Sequence, residues 1–356
     1  VEKMELIRPR DEHLFRLTDD TGIMQHSKFG VPDPRFGYTT DDNSRALIVA
    51  TMFYRNYREE KYLNLIYRYS SFILNSQTPK GNFKNFMGYD RRFLEDEGSE
   101  DSFGRTIWAL GYCISENILP LSLRRLYKEL LQNALKYIEY IKSPRSKAYV
   151  ILGLYYSLKE STLDRVQIKE YISHLSKSLV RQFRENVDES WKWFEDIMAY
   201  SNAILPLSLF EAYKVLGEKD ILEVALDSME FLEKIVFRYG YFKPIGCKGW
   251  YIRGGTIAEY DEQPVEAGEM ILLYKEAYEV LRDVSYICKA KDTFMWFHGK
   301  NSKKVSLIDN ETSGCYDAIT PDGVNLNQGA ESLLSYLLAY FTMMDLLNVR
   351  KELTVV

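Results

Sequence analysis

Five long stretches of this chain carry no charge, and they recur along it. No charged residue lies between Arg45 and Arg55, Arg105 and Glu116, Lys147 and Lys159, Asp196 and Glu211, or Glu331 and Asp345. Each stretch is too long for an ordinary strand and lacks strand-like alternation. The segments between them also look helical, but with one charged face. From Arg124 to Tyr140, for example, Leu126, Leu130, Leu131, Ala134, Leu135 and Ile138 share one side. A helix that is apolar all round is buried all round, whereas one with a single apolar stripe covers a surface. The alternation predicts two concentric rings, with uncharged helices inside and amphipathic helices outside.

The pattern places inner helices at about 43–57, 102–116, 146–159, 197–216, 264–281 and 328–347. Outer partners fall near 60–76, 122–141, 166–184, 219–236 and 284–297. Pro206 is expected to kink the fourth inner helix. The fifth inner helix breaks the charge rule, since it carries Glu266, Glu269, Lys275, Glu276 and Glu279. A helix near 10–18 supplies the sixth outer partner and closes the ring. The expected fold is therefore all-α, an (α/α)6 toroid of six helical hairpins forming one domain over 1–356, with no Pro/Gly/Ser-rich linker. The units differ in length and share no sequence repeat, which excludes a regular solenoid. The extra residues precede inner helices, at 77–100, 237–263 and 298–327, and are rich in Gly, Asn and aromatics. Long loops gathered at one end of a rigid ring build sites.

Composition narrows the partners. A net charge of −5 offers no basic excess to neutralise phosphates, which argues against nucleic acid. Cys113, Cys247, Cys288 and Cys315 form no CxxC pair and read as reduced thiols of a cytoplasmic protein. His13, His26, His174 and His298 give no HxxxH or Cys/His cluster, so no metal or other cofactor is expected. Val1–Glu5 lacks the apolar core of a signal peptide, and no window is apolar enough to span a membrane.

Polar residues crowd the starts of the inner helices. Thr40-Asp41-Asp42-Asn43 opens the first and Glu100-Asp101-Ser102 the second. Glu195-Asp196 opens the fourth, after Trp191, Trp193 and Phe194 and before Asn202. Tyr260-Asp261-Glu262-Gln263 with Glu266 opens the fifth, and Asn325-Leu326-Asn327-Gln328 with Glu331 the sixth. Short polar side chains cap helix N-termini, and acids there suit the macrodipole. Capping needs only one such side chain, yet several openings carry two or three. Glu266 and Glu331 also lie inside their helices, where a buried carboxylate is costly unless paired or used. Inner helices of a toroid run the same way, so these groups should converge on one mouth.

An acidic, aromatic mouth suits a sugar, whose C–H faces stack on rings while its hydroxyls donate to Asp, Glu and Asn. The candidate binding set is Asp41, Asn43, Arg105, Trp193, Asn202, Gln263, Glu266, Asn327, Gln328 and Glu331. Arg45, Arg105 and Arg253 offset charge or hold substrate oxygens. Glycosidic cleavage requires a protonated carboxyl and an ionised one. In a ring of six, units one and four face each other, as do two and five. Asp42 with Asp196, and Asp101 with Glu262, are therefore the candidate catalytic pairs. His26 is set aside as a structural hydrogen-bonder, Asp19-Asp20-Thr21-Gly22 as a simple turn, and Arg253-Gly254-Gly255-Thr256 as a turn without a phosphate-loop lysine.

Leu17–His26 (LTDDTGIMQH), Gly37–Ala46 (GYTTDDNSRA), Glu100–Gly111 (EDSFGRTIWALG), Trp193–Pro206, Asp261–Gly268 and Gly314–Glu331 (GCYDAITPDGVNLNQGAE) carry a family resemblance over nearly the whole chain. The chain resembles a family of glycosidase-related (α/α)6 domains found beside or fused to prokaryotic glycosyltransferases. The resemblance implies a six-hairpin toroid and a carbohydrate-related role. Two functions from different classes are expected on these grounds. One is an inverting glycoside hydrolase or phosphorylase acting on an oligosaccharide. The other is a non-catalytic carbohydrate-binding or scaffold domain that assists a glycosyltransferase. An epimerase or isomerase ranks behind both, because proton transfers near neutral pH commonly use histidine and this chain has few.

Overall fold

The structure is a computed structural model that describes residues 6–354. Residues 1–5, which bear the signal-peptide expectation, lie outside the described residues. Twelve α-helices follow in order among those described: α1 (Glu12–Leu17), α2 (Thr40–Tyr57), α3 (Glu60–Ser76), α4 (Glu100–Ser115), α5 (Leu121–Leu135), α6 (Pro144–Ser157), α7 (Arg165–Asn186), α8 (Ile204–Leu216), α9 (Lys219–Val236), α10 (Pro264–Leu281), α11 (Ser285–Phe294) and α12 (Ala330–Thr354). The even-numbered helices pack in a closed cycle, α2–α4–α6–α8–α10–α12–α2, and α3, α5, α7, α9 and α11 each back the inner helix before them. α1 lies against α12. This is the (α/α)6 toroid that the uncharged stretches require.

Burial follows the charge pattern. α4 is buried without a break from Ser102 to Ile114. α7 buries Ile168, Ile172, Leu175, Ser176, Leu179, Val180 and Phe183, a single stripe of helical period. In α5 the buried stripe is Leu123, Tyr127, Leu130, Leu131, Ala134 and Leu135. Leu126 is only partly buried, and Ile138 sits in a separate 3-10 turn. α4 and α6 touch backbone to backbone. A Cβ on Gly111 would fall 1.9 Å from the Gly153 carbonyl oxygen, so only glycine permits this approach.

The fourth inner helix departs from expectation. Residues 197–203 form a short strand and a turn, and α8 begins at Ile204. Pro206 therefore lies in the first helical turn, where its missing N–H removes no intrahelical bond. The charges of the fifth inner helix divide between the two ends of the ring. Glu266 and Glu269 lie toward the helix start, while Lys275, Glu276 and Glu279 join Lys214 and Glu211 toward its end.

Four two-stranded hairpins and pairings complete the chain: β1 (Ser27–Lys28) with β2 (Val31–Pro32), β3 (Tyr38–Thr39) with β4 (Phe86–Met87), β5 (Ile197–Met198) with β6 (Tyr251–Ile252), and β7 (Ala318–Thr320) with β8 (Gly323–Asn325). The long inserts supply β4, β6, β7 and β8. No helix among the described residues is long and apolar enough to cross a membrane, and all four cysteines are free.

Candidate functional site

Helix starts at the mouth are fixed by ordinary capping. The Thr39 hydroxyl accepts from the Asp42 amide at 3.0 Å and begins α2, Ser99 does the same for α4, and Pro264 occupies the first turn of α10. Capping therefore accounts for Thr39 and Ser99, but leaves Asp41, Asp42, Gln263 and Glu331 free to face outward.

Those four line one cavity of about 380 Å³. The α2 start contributes Thr39, Asp41 and Asp42, and the α12 start Gly329, Glu331 and Ser332. Asp261 and Gln263 enter from the approach to α10, together with Cys247. Gln25 and His26, Asn85 and Phe86 beside β4, and Asp317, Ala318 and Asn325 from the β7–β8 hairpin complete the wall. The cavity thus belongs to the first, fifth and sixth units.

Arg45 organises its acids. Its Nη1 lies 2.5 Å from Glu331 Oε2 and 3.9 Å from Asp42 Oδ1, and its Nε lies 3.2 Å from Asp41 Oδ1. Asp42 is buried, and the Thr39 hydroxyl stands 2.9 Å from its Oδ2. Burial pushes the Asp42 carboxyl up to about 7 against the pull of Arg45, with Asp41 and Glu331 adding repulsion. Burial acts on Glu331 as well, but Arg45 and Arg105 outweigh it and hold that carboxyl below its ordinary value. Burial raises Asp317, although it accepts from the Gly329 amide at 2.7 Å and the Ser332 hydroxyl at 2.9 Å. Two neighbouring carboxyls, Asp42 and Glu331, are thereby driven in opposite directions, the arrangement acid–base chemistry requires.

Beneath the cavity lies a buried polar layer. Arg105 is 3.3 Å from Asp41 and 3.4 Å from Glu269, and it lies over the Tyr149 ring. The Tyr149 and Ser201 hydroxyls donate to Glu269. Glu266 accepts from the backbone amides of Ser201 and Asn202, and burial beside Glu269 pushes it up to about 8.

The remaining predicted residues lie elsewhere. Asp101 accepts from the Tyr200 hydroxyl at 2.5 Å and the Ser143 hydroxyl at 3.1 Å, which ties α4 to α6 and to the loop before α8. Glu262 has no exposed surface. It binds Lys243 at 2.6 Å, Trp296 Nε1 at 2.9 Å and the Ser302 hydroxyl, so it anchors a loop and does not line the cavity. Asp196 is 74% exposed at the rim, beside Arg253. The expected cross-ring pairs, Asp42 with Asp196 and Asp101 with Glu262, therefore do not face each other across a common cavity. A helix start fixes only where a residue begins, and the loops decide which way the mouth opens.

Among the binding candidates, Asn43 clasps the backbone of Ile23 and Thr39. Asn202 is buried beside Glu266. Trp193 is core, packed against Phe194. Asn327 accepts from the Phe29 amide, and Gln328 is fully engaged by Thr312, Asp309, Ser27 and His13. The 19–22 segment is the expected turn, with Asp19 Oδ1 accepting from the amides of Thr21 and Gly22.

His26 was read as structural, yet it lines the cavity, 2.9 Å from Gln25 Nε2 and edge-on to Phe36. Asp261, Asp317, Asn85 and Asn325 were missed as site residues. Asp261 and Asn325 stand in helix openings already marked as polar, and Asn85 and Asp317 fall inside the long inserts, whose composition signals a site without naming its members.

No family model and no curated protein matches the chain. Solved structures do. The cellobiose 2-epimerase from Spirochaeta thermophila superposes with a TM-score of 0.75 at 14% identity, covering 96% of this chain and 95% of that one. A D-mannose isomerase gives 0.69 at 11% identity over 94% and 96%. A glycoside hydrolase family 76 α-mannanase from Bacteroides thetaiotaomicron gives 0.61 at 14% identity over 88% of each chain. At such identities the likeness is one of fold, and that fold is the (α/α)6 toroid of glycosidase-like enzymes.

Proposed function

We propose that the protein is a carbohydrate-active enzyme, specifically an inverting glycoside hydrolase or phosphorylase acting on a short oligosaccharide in the mouth cavity. The observation that carries this reading is a buried carboxyl, Asp42, raised to about 7 in a cavity whose wall also carries the Asp261 carboxyl. Asp42 is the acid that protonates the leaving oxygen. Glu331 contacts the same Arg45 nitrogen as Asp42, which is too close for an intervening water. Asp261, separated from Asp42 by the sixth unit and paired with Lys248 at 3.2 Å, is the base that activates water in hydrolysis. The fold shared with sugar-processing enzymes and the exposed Phe86 ring at the wall support a saccharide ligand. The test is oligosaccharide cleavage followed by NMR, with the inverted anomer as the first product. Retention of configuration would sink the Asp42/Asp261 pairing.

A second reading is favoured by one further observation. His26 faces the same cavity as Asp42, and epimerases and an isomerase are among the similar folds. Epimerisation or isomerisation would incorporate deuterium from D2O at the carbon beside the carbonyl without shortening the oligosaccharide. Saccharide binding with neither reaction would favour a binding domain, with a glycosyltransferase as the partner it assists.

A further inference from the structure

Taking the cavity as a saccharide site, its charge and hydrogen-bonding groups bear on which saccharides and which acceptor it takes. Among the described residues, no lysine or arginine lines it. The basic side chains nearby are already engaged. Arg45 contacts Asp41, Asp42 and Glu331, and Arg105 is shared by Asp41 and Glu269 on the face of Tyr149. Lys248 sits 3.2 Å from Asp261. Five carboxyls line the wall against these committed cations.

The hydrogen-bond inventory leans the same way. The five wall carboxyls, when ionised, can only accept hydrogen bonds. Buried acceptors pair with donors, and sugar hydroxyls and ammonium groups donate. Phosphate and uronate oxygens are anionic and mainly accept, so they meet like charge and find no uncommitted lysine or arginine.

We infer that the site takes uncharged or ammonium-bearing saccharides and that its acceptor is water, not inorganic phosphate. This rests on the acid–base reading above and narrows it to hydrolysis. As the C1–O bond breaks, the Asp42 proton passes to the leaving oxygen. The water oxygen bonds to C1 and its proton passes to the Asp261 carboxylate. One water is consumed; Asp261 releases its proton to solvent, and solvent returns one to Asp42. Nothing is oxidised or reduced.

The experiment uses the full chain and a panel of gluco-, manno- and galacto-configured disaccharides, with their 2-amino and uronate counterparts and inorganic phosphate. Isothermal titration should show neutral or amino disaccharides binding at least ten-fold more tightly than the matching uronates, and no phosphate binding at millimolar concentration. Cleavage in phosphate buffer, followed by ³¹P NMR, should yield free sugar and no sugar 1-phosphate. A uronate bound as tightly as its neutral counterpart, or a sugar 1-phosphate product, overturns the inference and leaves the saccharide reading standing. Failure of every saccharide to bind overturns both. Lys248→Gln removes a cation at a side chain that is 68% exposed, so folding is not at risk. It should widen the neutral-over-uronate preference several-fold, and an unchanged preference would show that wall charge does not set it.

Discussion

On the side of the mouth formed by α2, α10 and α12, the helix-start acids Asp41, Asp42, Asp261 and Glu331 face an open cavity. On the side formed by α4, α6 and α8, acids of the same kind are tied into cross-links. Asp101 joins Ser143 and Tyr200, Glu195 joins Arg145 at 2.7 Å, and Glu266 reaches over from α10 to hold the turn before α8. Backbone spacing separates the two cases. Gly104, against the Ser146 carbonyl oxygen, lets α4 and α6 approach near the mouth, so their loop ends lie within reach of one another and neutralise each other's polar groups. The first, fifth and sixth units instead carry or meet the long inserts, whose hairpins stand as walls around space. An acid at a helix start is thus a site residue or a fastener according to how near its neighbours are.

This contrast can be broken at several points. The largest effect is expected at Glu262, which the structure assigns to fastening. Glu262→Gln leaves the buried Lys243 without its main counter-charge and should cost about 3 kcal/mol in urea unfolding. Stability unchanged by this substitution would contradict the anchoring role. Asp42→Asn should lower turnover by about 10²-fold or more while preserving the fold, as loss of a general acid does. Full activity in that variant would move the chemistry out of the cavity.

The pH dependence of stability gives a third test. Asp42 has a folded-state pKa raised to about 7, so its contribution to stability is complete below its ordinary value near 3.8 and is lost as pH rises through about 7. Asp42→Asn lacks this loss. Unfolding measured at pH 4 and at pH 8 should show the variant gaining on the wild type at the higher pH, and a constant difference would deny the raised carboxyl. Asp101→Asn should leave turnover within about two-fold and change stability by about 1 kcal/mol, the scale of one hydrogen bond. A large loss of turnover there would restore the side formed by α4, α6 and α8 to the chemistry. Least of all, Asp196→Ala at the exposed rim should shift stability by less than about 0.5 kcal/mol.

The ring was legible in the sequence because burial is a property of a whole helix surface. Uncharged stretches such as Thr106–Ser115 can be stable only with protein on every side, and one-sided stripes such as that of α7 can cover only one face. The number of hairpins, their order and the end where the acids gather follow from that. Asp41, Asp42, Gln263 and Glu331 were found by the same logic, since each exceeds what capping needs. Tertiary structure alone decided which openings share a cavity. Asp101, Asp196 and Glu262 stand at helix starts just as Asp42 does, but their partners come from residues 19 to 99 positions away, among them an arginine 57 positions along the chain from Asp196. No periodicity encodes such contacts. The raised carboxyl of Asp42 likewise arises from burial against the pull of Arg45, with repulsion from Asp41 and from Glu331, which only the closing of the ring brings alongside Arg45, 286 residues away.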